Sequence, residues 1–254
     1  MPKQGEIDYV AKLAPAEVAH VLNKPFADAR CGQYLMDVGL VLSLVPPPPA
    51  KLLDLGVGPG WTSLLFAQRG YEVVGVDLAP AMVELARVNQ ARAGVTNLTL
   101  LVADYESFTA RPTFDIAVFY DALHHAEDEE RALAAVWLAL KAGGVCVTVE
   151  PGAEHGSDEG ARAAVARFGV TEKSMPPQRI IDLGRRVGFT SFDVYERPTP
   201  TLLAREPERW RWKALRRAMG AMIKDPWRAL RARRQALAGS HMVVLRKDLS
   251  SGNR

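Results

Sequence analysis

The sequence predicts an α/β protein built on a doubly wound, mostly parallel sheet of seven strands. Five short runs, at 51–55, 71–77, 98–103, 114–120 and 145–150, are apolar at consecutive positions. Strands covered by helices on both faces need that pattern. Segments with helical length and periodicity separate most of these runs, and parallel strands require such crossovers. A glycine-rich turn, Asp54-Leu55-Gly56-Val57-Gly58-Pro59-Gly60, follows the first run directly. A doubly wound sheet places its ligand loop there.

The elements follow in order. Residues 7–45 read as helical, with apolar clusters at Val18, Val21 and Leu22 and again at Leu35, Val38 and Leu42. Pro46 to Pro49 form a stiff connector, since no proline donates to a helix or sheet. Trp61 to Arg69 is a helix stopped by Gly70. Pro80 opens a helix that runs to Gly94. Leu133, Val136, Trp137 and Leu140 recur at i, i+3, i+4 and i+7, marking one face of a helix ended by Gly143-Gly144. Pro176 to Val187 is a further helix. Runs 189–196 and 241–247 supply the sixth and seventh strands. The expected organisation is a helical lid and connector over 1–49, a core over 50–197 with 240–248, a basic helical insertion over 198–239, and a disordered tail over 249–254.

Composition bounds the class. The chain has 254 residues, 48% hydrophobic and 24% charged, which excludes a disordered chain or a fibre. A chain of this length buries about 70–75% of its unfolded surface and needs no disulfide or metal staple. Cys31 and Cys146 stand too far apart for a C-x-x-C or zinc-ribbon pattern, so a reducing cytoplasm is expected. No run of 18 apolar residues predicts a spanning helix, and the N-terminus leads into no signal-like apolar stretch. The net charge of +3 is uneven. Residues 198–239 hold eleven Lys and Arg against three acids, which leaves the rest of the chain at −5. Such an asymmetry speaks about partners more than fold.

The glycine loop narrows the ligand. A dinucleotide fingerprint wants G-x-G-x-x-G, with its third glycine at 61, where Trp61 stands. The pattern is G-x-G-x-G, preceded by Asp54. Seventeen residues beyond Gly60, Asp77 ends the second strand, and its carboxylate suits a ribose diol. Asp104 ends the third strand, where an acid can accept from an exocyclic amine.

Together, Asp54-x-Gly56-x-Gly58-x-Gly60, Asp77 and Asp104 resemble the class I S-adenosylmethionine-dependent methyltransferases over about residues 48–197. The last two strands resemble that family's terminal antiparallel hairpin. The resemblance implies that Gly56, Gly58 and Gly60 meet the methionine moiety, Asp77 the ribose and Asp104 the adenine. It implies that Asp54 holds the loop or a water near the methionine amine. Leu78, Tyr105 and Tyr120 join this expected S-adenosylmethionine site.

Acceptor chemistry is expected beyond the ends of the fourth and fifth strands. There Tyr120-Asp121-Ala122-Leu123-His124-His125 and Glu150-Pro151-Gly152-Ala153-Glu154-His155 gather three of the five histidines. Methyl transfer from an activated donor needs positioning and, for a hydroxyl acceptor, a base, a task that suits histidine. His124, His125 and Asp121 are the catalytic candidates, and Glu150, His155 and Lys173 the substrate candidates. Asp121, His124 and Glu150 could line a metal, but no ligand spacing demands one and none is expected. Cys146 reads as a buried small hydrophobe.

Asn23-Lys24-Pro25-Phe26 reads as part of a lid. The loop from Phe168 to Pro177, with Lys24-Pro25-Phe26 and the 120–125 segment, resembles bacterial methyltransferases found beside glycosyltransferases in surface-polysaccharide systems. The expected activity is methylation of a hydroxyl or amine on a small molecule or bacterial glycan. The alternatives are an RNA or nucleotide methyltransferase and a non-catalytic S-adenosylmethionine-binding module. The Asn/Asp-Pro-Pro-Tyr/Phe motif of base-amine methylation is absent after the fourth strand. In the insertion, Trp212, Leu215, Met219 and Met222 recur at helical spacing among arginines. That suits an anionic membrane surface, at the inner face of the membrane, an acidic polymer, or a helical pair whose apolar stripe packs on the body while its arginines face solvent. Oligomeric state is not legible.

Overall fold

The computed structural model describes residues 3–199 and 239–249. Helices α1 (Gln4–Ile7), α2 (Pro15–Leu22) and α3 (Cys31–Leu44) lead into β1 (Lys51–Leu55). Then come α4 (Trp61–Arg69), β2 (Glu72–Asp77), α5 (Pro80–Ala93), β3 (Leu98–Val102) and β4 (Phe114–Tyr120). The chain continues through α6 (Glu129–Ala139), β5 (Leu140–Glu150), α7 (Glu159–Phe168), α8 (Pro177–Val187), β6 (Ser191–Glu196) and β7 (His241–Arg246). The seven strands form one sheet in the order β3-β2-β1-β4-β5-β7-β6. Strands β1 to β5 pair in parallel, while β7 pairs antiparallel with both β5 and β6. Among the described residues no helix is long and apolar enough to cross a membrane.

The consecutive apolar residues of the strands divide between two cores. Leu52, Ile116, Val118, Val145 and Val147 pack on one face with Val38 and Val41 of α3, Phe66 of α4 and Val83 of α5. Leu53, Leu55, Ala117, Phe119 and Cys146 pack on the other with Leu133 and Val136 of α6 and Ile180 and Leu183 of α8. Strand side chains alternate between faces, so a strand apolar at every position is a strand covered on both sides.

Three details differ from the sequence expectation. The buried stripe of α3 is Tyr34, Asp37, Val38 and Val41, while Leu35 is exposed, so the helix is turned by one position. Helix α6 ends at Ala139 rather than at Gly143-Gly144, and Leu140 already belongs to β5. The pairing shifts between Phe114 and Ile116, so β5 carries extra residues there, and Gly143 adopts a left-handed φ of 76° within them. Helix α7 was not expected. Its cap is Asp158, whose carboxylate accepts from the Ala161 amide, and Gly169 stops it in the left-handed conformation. The basic insertion lies outside the described residues over 200–238, as does the tail over 250–254.

The sheet order reverses between β1 and β4, which opens a crevice beyond their carboxyl ends. At that point the chain turns through glycines with left-handed φ. A Cβ on Gly56 would stand 2.6 Å from the Ala122 Cβ, and one on Gly60 2.8 Å from the Ala86 Cβ. Neither position accepts a side chain. Asp54 secures the turn from below. It is buried, and its Oδ2 accepts from Thr62 Oγ1 at 2.7 Å and Ser63 Oγ at 2.6 Å, tying β1 to the first turn of α4. Burial pushes its carboxyl up to about 6, against the two hydroxyl donors that favour the anion.

Because the folded chain holds a proton on Asp54 up to about pH 6, and the unfolded chain releases it near pH 4, the folded state binds more protons between those values. Stability from this group therefore falls as pH rises through that window, by up to about 3 kcal/mol. Denaturant titrations at pH 4.5 and pH 7 on wild type and Asp54→Asn should show a stability difference that changes with pH in that direction. A pH-independent difference contradicts the assignment.

Candidate active site

A cavity of about 320 Å3 lies over the crevice. One end is lined by Gly56, Gly58, Asp77, Leu78, Asp104 and Tyr105, and the other by Asp121, Ala122, His125 and Glu172. The sequence therefore placed the two ends of one continuous chamber at strand termini that are far apart in the chain.

At the first end, Asp77 accepts from the Gly58 amide through Oδ2 at 2.7 Å and from the Ala79 amide through Oδ1 at 2.9 Å. Burial raises its pKa, and the two amides oppose the rise. Nothing lies within 4 Å of the position a Gly58 Cβ would take, so this stretch of backbone faces open space. Asp104 accepts from Lys3 Nζ at 2.7 Å and from the Glu106 amide at 3.0 Å. Tyr105 donates its hydroxyl to the Ala122 carbonyl at 3.0 Å and presents its ring to the cavity. An acid at each of two strand ends, an open glycine backbone between them and a chamber of this volume fit a nucleoside-bearing ligand.

Tyr120 and Asp54 do not line the chamber. The Tyr120 hydroxyl donates to Asp37 Oδ2 at 2.7 Å, and Arg197 joins the same pair. Burial and the carboxylates of Asp121 and Asp37 push the Tyr120 pKa far above its ordinary value. The ring packs on Trp61 with centroids 5.1 Å apart, so Tyr120 anchors α3 and α4 to the sheet.

The second end is built around a fully buried carboxylate. Glu150 accepts from the Leu123 amide at 2.8 Å, more loosely from the Ala122 and His124 amides at 3.3 Å, and from His124 Nδ1 at 2.7 Å. His124 Nε2 stands 3.4 Å from Glu172. Burial opposes a charge on His124, but its contacts with Glu150 and Glu172 outweigh that and push its pKa up to about 10. Burial likewise opposes the anion of Glu172, but His124, His125 and His155 hold it at about 2. Both ring nitrogens of His124 thus face a carboxylate, Nδ1 that of Glu150 and Nε2 that of Glu172.

His125 differs. Its Nδ1 lies 2.6 Å from the Thr171 carbonyl. A carbonyl only accepts, so Nδ1 carries a proton, and in the neutral ring the free lone pair is the one on Nε2. Asp121 lines the chamber at a left-handed φ of 46°, an uncommon conformation for a residue other than glycine, with Arg197 3.8 Å away. Burial raises its pKa, while Arg197 opposes.

Glu150, His155 and Lys173 fall outside the chamber wall. Glu150 fastens the turn after β4. His155 lies between Asp158 at 3.0 Å and Glu172 at 2.7 Å. Lys173 donates to the Glu127 carbonyl at 2.8 Å and pairs with Glu129 at 3.2 Å. Of the lid residues, Lys24 reaches the wall, while Phe26 is exposed.

Sequence reasoning passed over several wall residues. Lys3, Glu6 and Tyr9 close one side, bound to the far segment by Glu6 accepting from the Thr171 amide at 2.8 Å and by Tyr9 stacking on Phe168 with centroids 4.7 Å apart. No pattern in the N-terminal sequence announces these contacts. Glu172 stood next to Lys173 in a loop already singled out, and the placement of three histidines elsewhere in the chain was the signal that an acid should meet them.

Residues 53–148 match the methyltransferase domain family. The chain is 45% identical over 58 residues to a 2-heptyl-1-hydroxyquinolin-4(1H)-one methyltransferase of Mycobacteroides abscessus, covering 23% of this chain and 26% of that protein. It is 33% identical over 96 residues to the ubiquinone biosynthesis O-methyltransferase of Saccharophagus degradans, covering 37% and 40%. In both, the match spans less than half of the relative's length. The fold is that of an S-adenosylmethionine-dependent methyltransferase from Mesorhizobium loti, with a TM-score of 0.60 at 20% identity over 84% of this chain and 98% of that one. It is also that of Haemonchus contortus phosphoethanolamine N-methyltransferase 2 in complex with S-adenosyl-L-methionine, with a TM-score of 0.59 at 19% identity over 85% and 53%. With the domain match, the strand order and the glycine turn in agreement, residues 53–148 carry a methyltransferase domain of the class I S-adenosylmethionine-dependent type.

Proposed function

We propose that the protein transfers a methyl group from S-adenosylmethionine to an oxygen or nitrogen of a small-molecule acceptor. The observation that carries this is the single chamber with acidic nucleoside-type contacts at one end and His125 and Asp121 at the other. When bound, S-adenosylmethionine supplies a methyl already activated on a sulfonium, so the protein needs only to align the acceptor and manage its proton. In this reading Gly58 and Asp77 hold the methionine and ribose portions, and Asp104 faces the base once Lys3 yields. Tyr105 and Leu78 pack the middle. Thr171 fixes the His125 tautomer, which leaves Nε2 to receive the acceptor.

Relatives named for quinolone and ubiquinone chemistry support a hydroxylated aromatic acceptor, and a tRNA 5-carboxymethoxyuridine methyltransferase of Escherichia coli, 29% identical over 113 residues, supports an RNA acceptor as the alternative. A glycan hydroxyl is the next candidate, on the loop resemblance over 168–177. Free, widely separated Cys31 and Cys146 support a reducing compartment. The net charge of +8 over 198–239 supports an anionic partner, a membrane surface or an acidic polymer.

Calorimetry should show S-adenosylmethionine binding that weakens by about 1.5–3 kcal/mol, roughly 10- to 150-fold, in Asp77→Ala. Tight binding of a nicotinamide dinucleotide with none of S-adenosylmethionine defeats the proposal. In a labelled-methyl screen against hydroxylated aromatics and glycans, His125→Ala should lose about 10²- to 10⁴-fold in turnover while cofactor affinity stays near wild type. Full activity of that variant removes His125 from the chemistry. Co-sedimentation with anionic vesicles, and an RNA shift assay beside it, should show association that fades as salt rises toward physiological strength, where the screening length is about 8 Å. No binding at low salt contradicts an anionic partner.

A further inference from the structure

We propose that His124, His125 and Glu172 bind one divalent transition-metal ion at the acceptor end of the chamber. One ligand atom from each residue lies within 4.8 Å of the others. The two histidines are adjacent, with ring centroids 4.0 Å apart, and Glu172 reaches them from the separate loop between α7 and α8.

The tautomers support the assignment more than proximity does. The Nδ1 atom of His124 faces only an acceptor, Glu150, and that of His125 faces only acceptors, the Thr171 carbonyl and, at 3.4 Å, Glu6. Each ring is therefore anchored through Nδ1 and turns Nε2 to a ligand. Metal-binding histidines are held in this way, by a carboxylate or a backbone carbonyl on the far nitrogen. Glu150 is itself fixed by the turn amides, so the His124 anchor is rigid. His155 performs the same service for Glu172, with Nε2 2.7 Å from its Oε2.

Spacing agrees at the best-defined edge. Ligands at about 2.0–2.1 Å around a tetrahedral ion stand about 3.3–3.4 Å from one another, and His124 Nε2 to Glu172 Oε2 is 3.4 Å. The His125 atom, which lies within 4.8 Å of the other two, closes toward them on coordination. Two imidazoles and one carboxylate favour zinc, cobalt, manganese or ferrous iron over magnesium or calcium, which prefer oxygen. Glu6, Asp121 and Glu150 surround the site with further negative charge.

His125 and Glu172 both line the chamber, so an open coordination position faces the acceptor. The role of the ion rests on the methyltransferase reading: with the ion bound, His125 Nε2 is a ligand in place of a base, and the ion would bind the acceptor oxygen and lower its pKa, the proton leaving to solvent. The binding site itself does not rest on that reading.

The experiment uses the full chain stripped with chelator and dialysed. Titration with Co2+ is followed by visible ligand-field absorption, and Zn2+ and Mn2+ by calorimetry. S-adenosylmethionine binding is measured on the same samples. The expected result is one ion per chain, with affinity reduced at least tenfold in His124→Ala and in Glu172→Gln and unchanged in the distant His20→Ala. Melting curves identify a variant that fails to fold, and Glu172→Gln, which keeps shape and size, then carries the test. No stoichiometric ion in wild type, or unchanged affinity in folded Glu172→Gln, overturns the metal site. If S-adenosylmethionine binds in that case, the methyltransferase reading stands without it. Ion binding with no S-adenosylmethionine binding supports the site and defeats the reading.

Discussion

Glu150 sits fully buried at the last position of β5, and its two oxygens accept from three consecutive amides of the turn after β4 and from the His124 ring. A buried carboxylate is tolerated only when its lone pairs are met by donors. Here the donors are the backbone of the segment that carries Asp121, His124 and His125. Removing the carboxyl would leave three amides and the Nδ1 of His124 without a partner in an apolar setting. The orientation of His124, and the path of the turn that carries His125, therefore depend on one side chain that never touches the chamber.

Most of the fold could be read from the sequence because it rests on local pattern. Consecutive apolar residues gave β1, β2, β4 and β5. Gly70 and Gly94 end α4 and α5 in left-handed conformations, as their positions suggested. The errors have local physical reasons as well. Helix α7 is short and alanine-rich, and its apolar face is only Ala161, Ala164, Val165 and Phe168, too weak a stripe to stand out. Leu140 continues the helical spacing of Leu133 and Val136, yet strand pairing with Phe114 claims it.

The candidate site was legible only in part. Residue type and strand-end position brought Asp77, Asp104, Asp121 and His125 to one chamber. They could not say where a side chain turns once several donors and acceptors compete. Glu150 and Tyr120 have the chemistry expected of ligand contacts, but buried backbone amides and the Asp37–Arg197 pair claim them first. Contacts between distant segments were also invisible, such as Glu17 with Arg167 or Glu6 with the Thr171 amide, since no periodicity links residues some 150 positions apart.

The placement of β7 between β5 and β6 has a consequence for where the basic segment is attached. Glu150, His241 and Glu196 lie side by side in register across the three strands. Chain leaving β6 and chain entering β7 thus both do so on the border of the sheet that carries the chamber. Arg197, the first residue past β6, already reaches Asp37, Tyr120 and Asp121. Both ends of the basic segment are therefore attached at the border where Asp121 and His125 stand, and β2 and β3, which carry Asp77 and lead to Asp104, stand on the opposite flank of the sheet. The glycine turn and the strand ends that carry Asp77 and Asp104 share no strand pairing with β6 or β7.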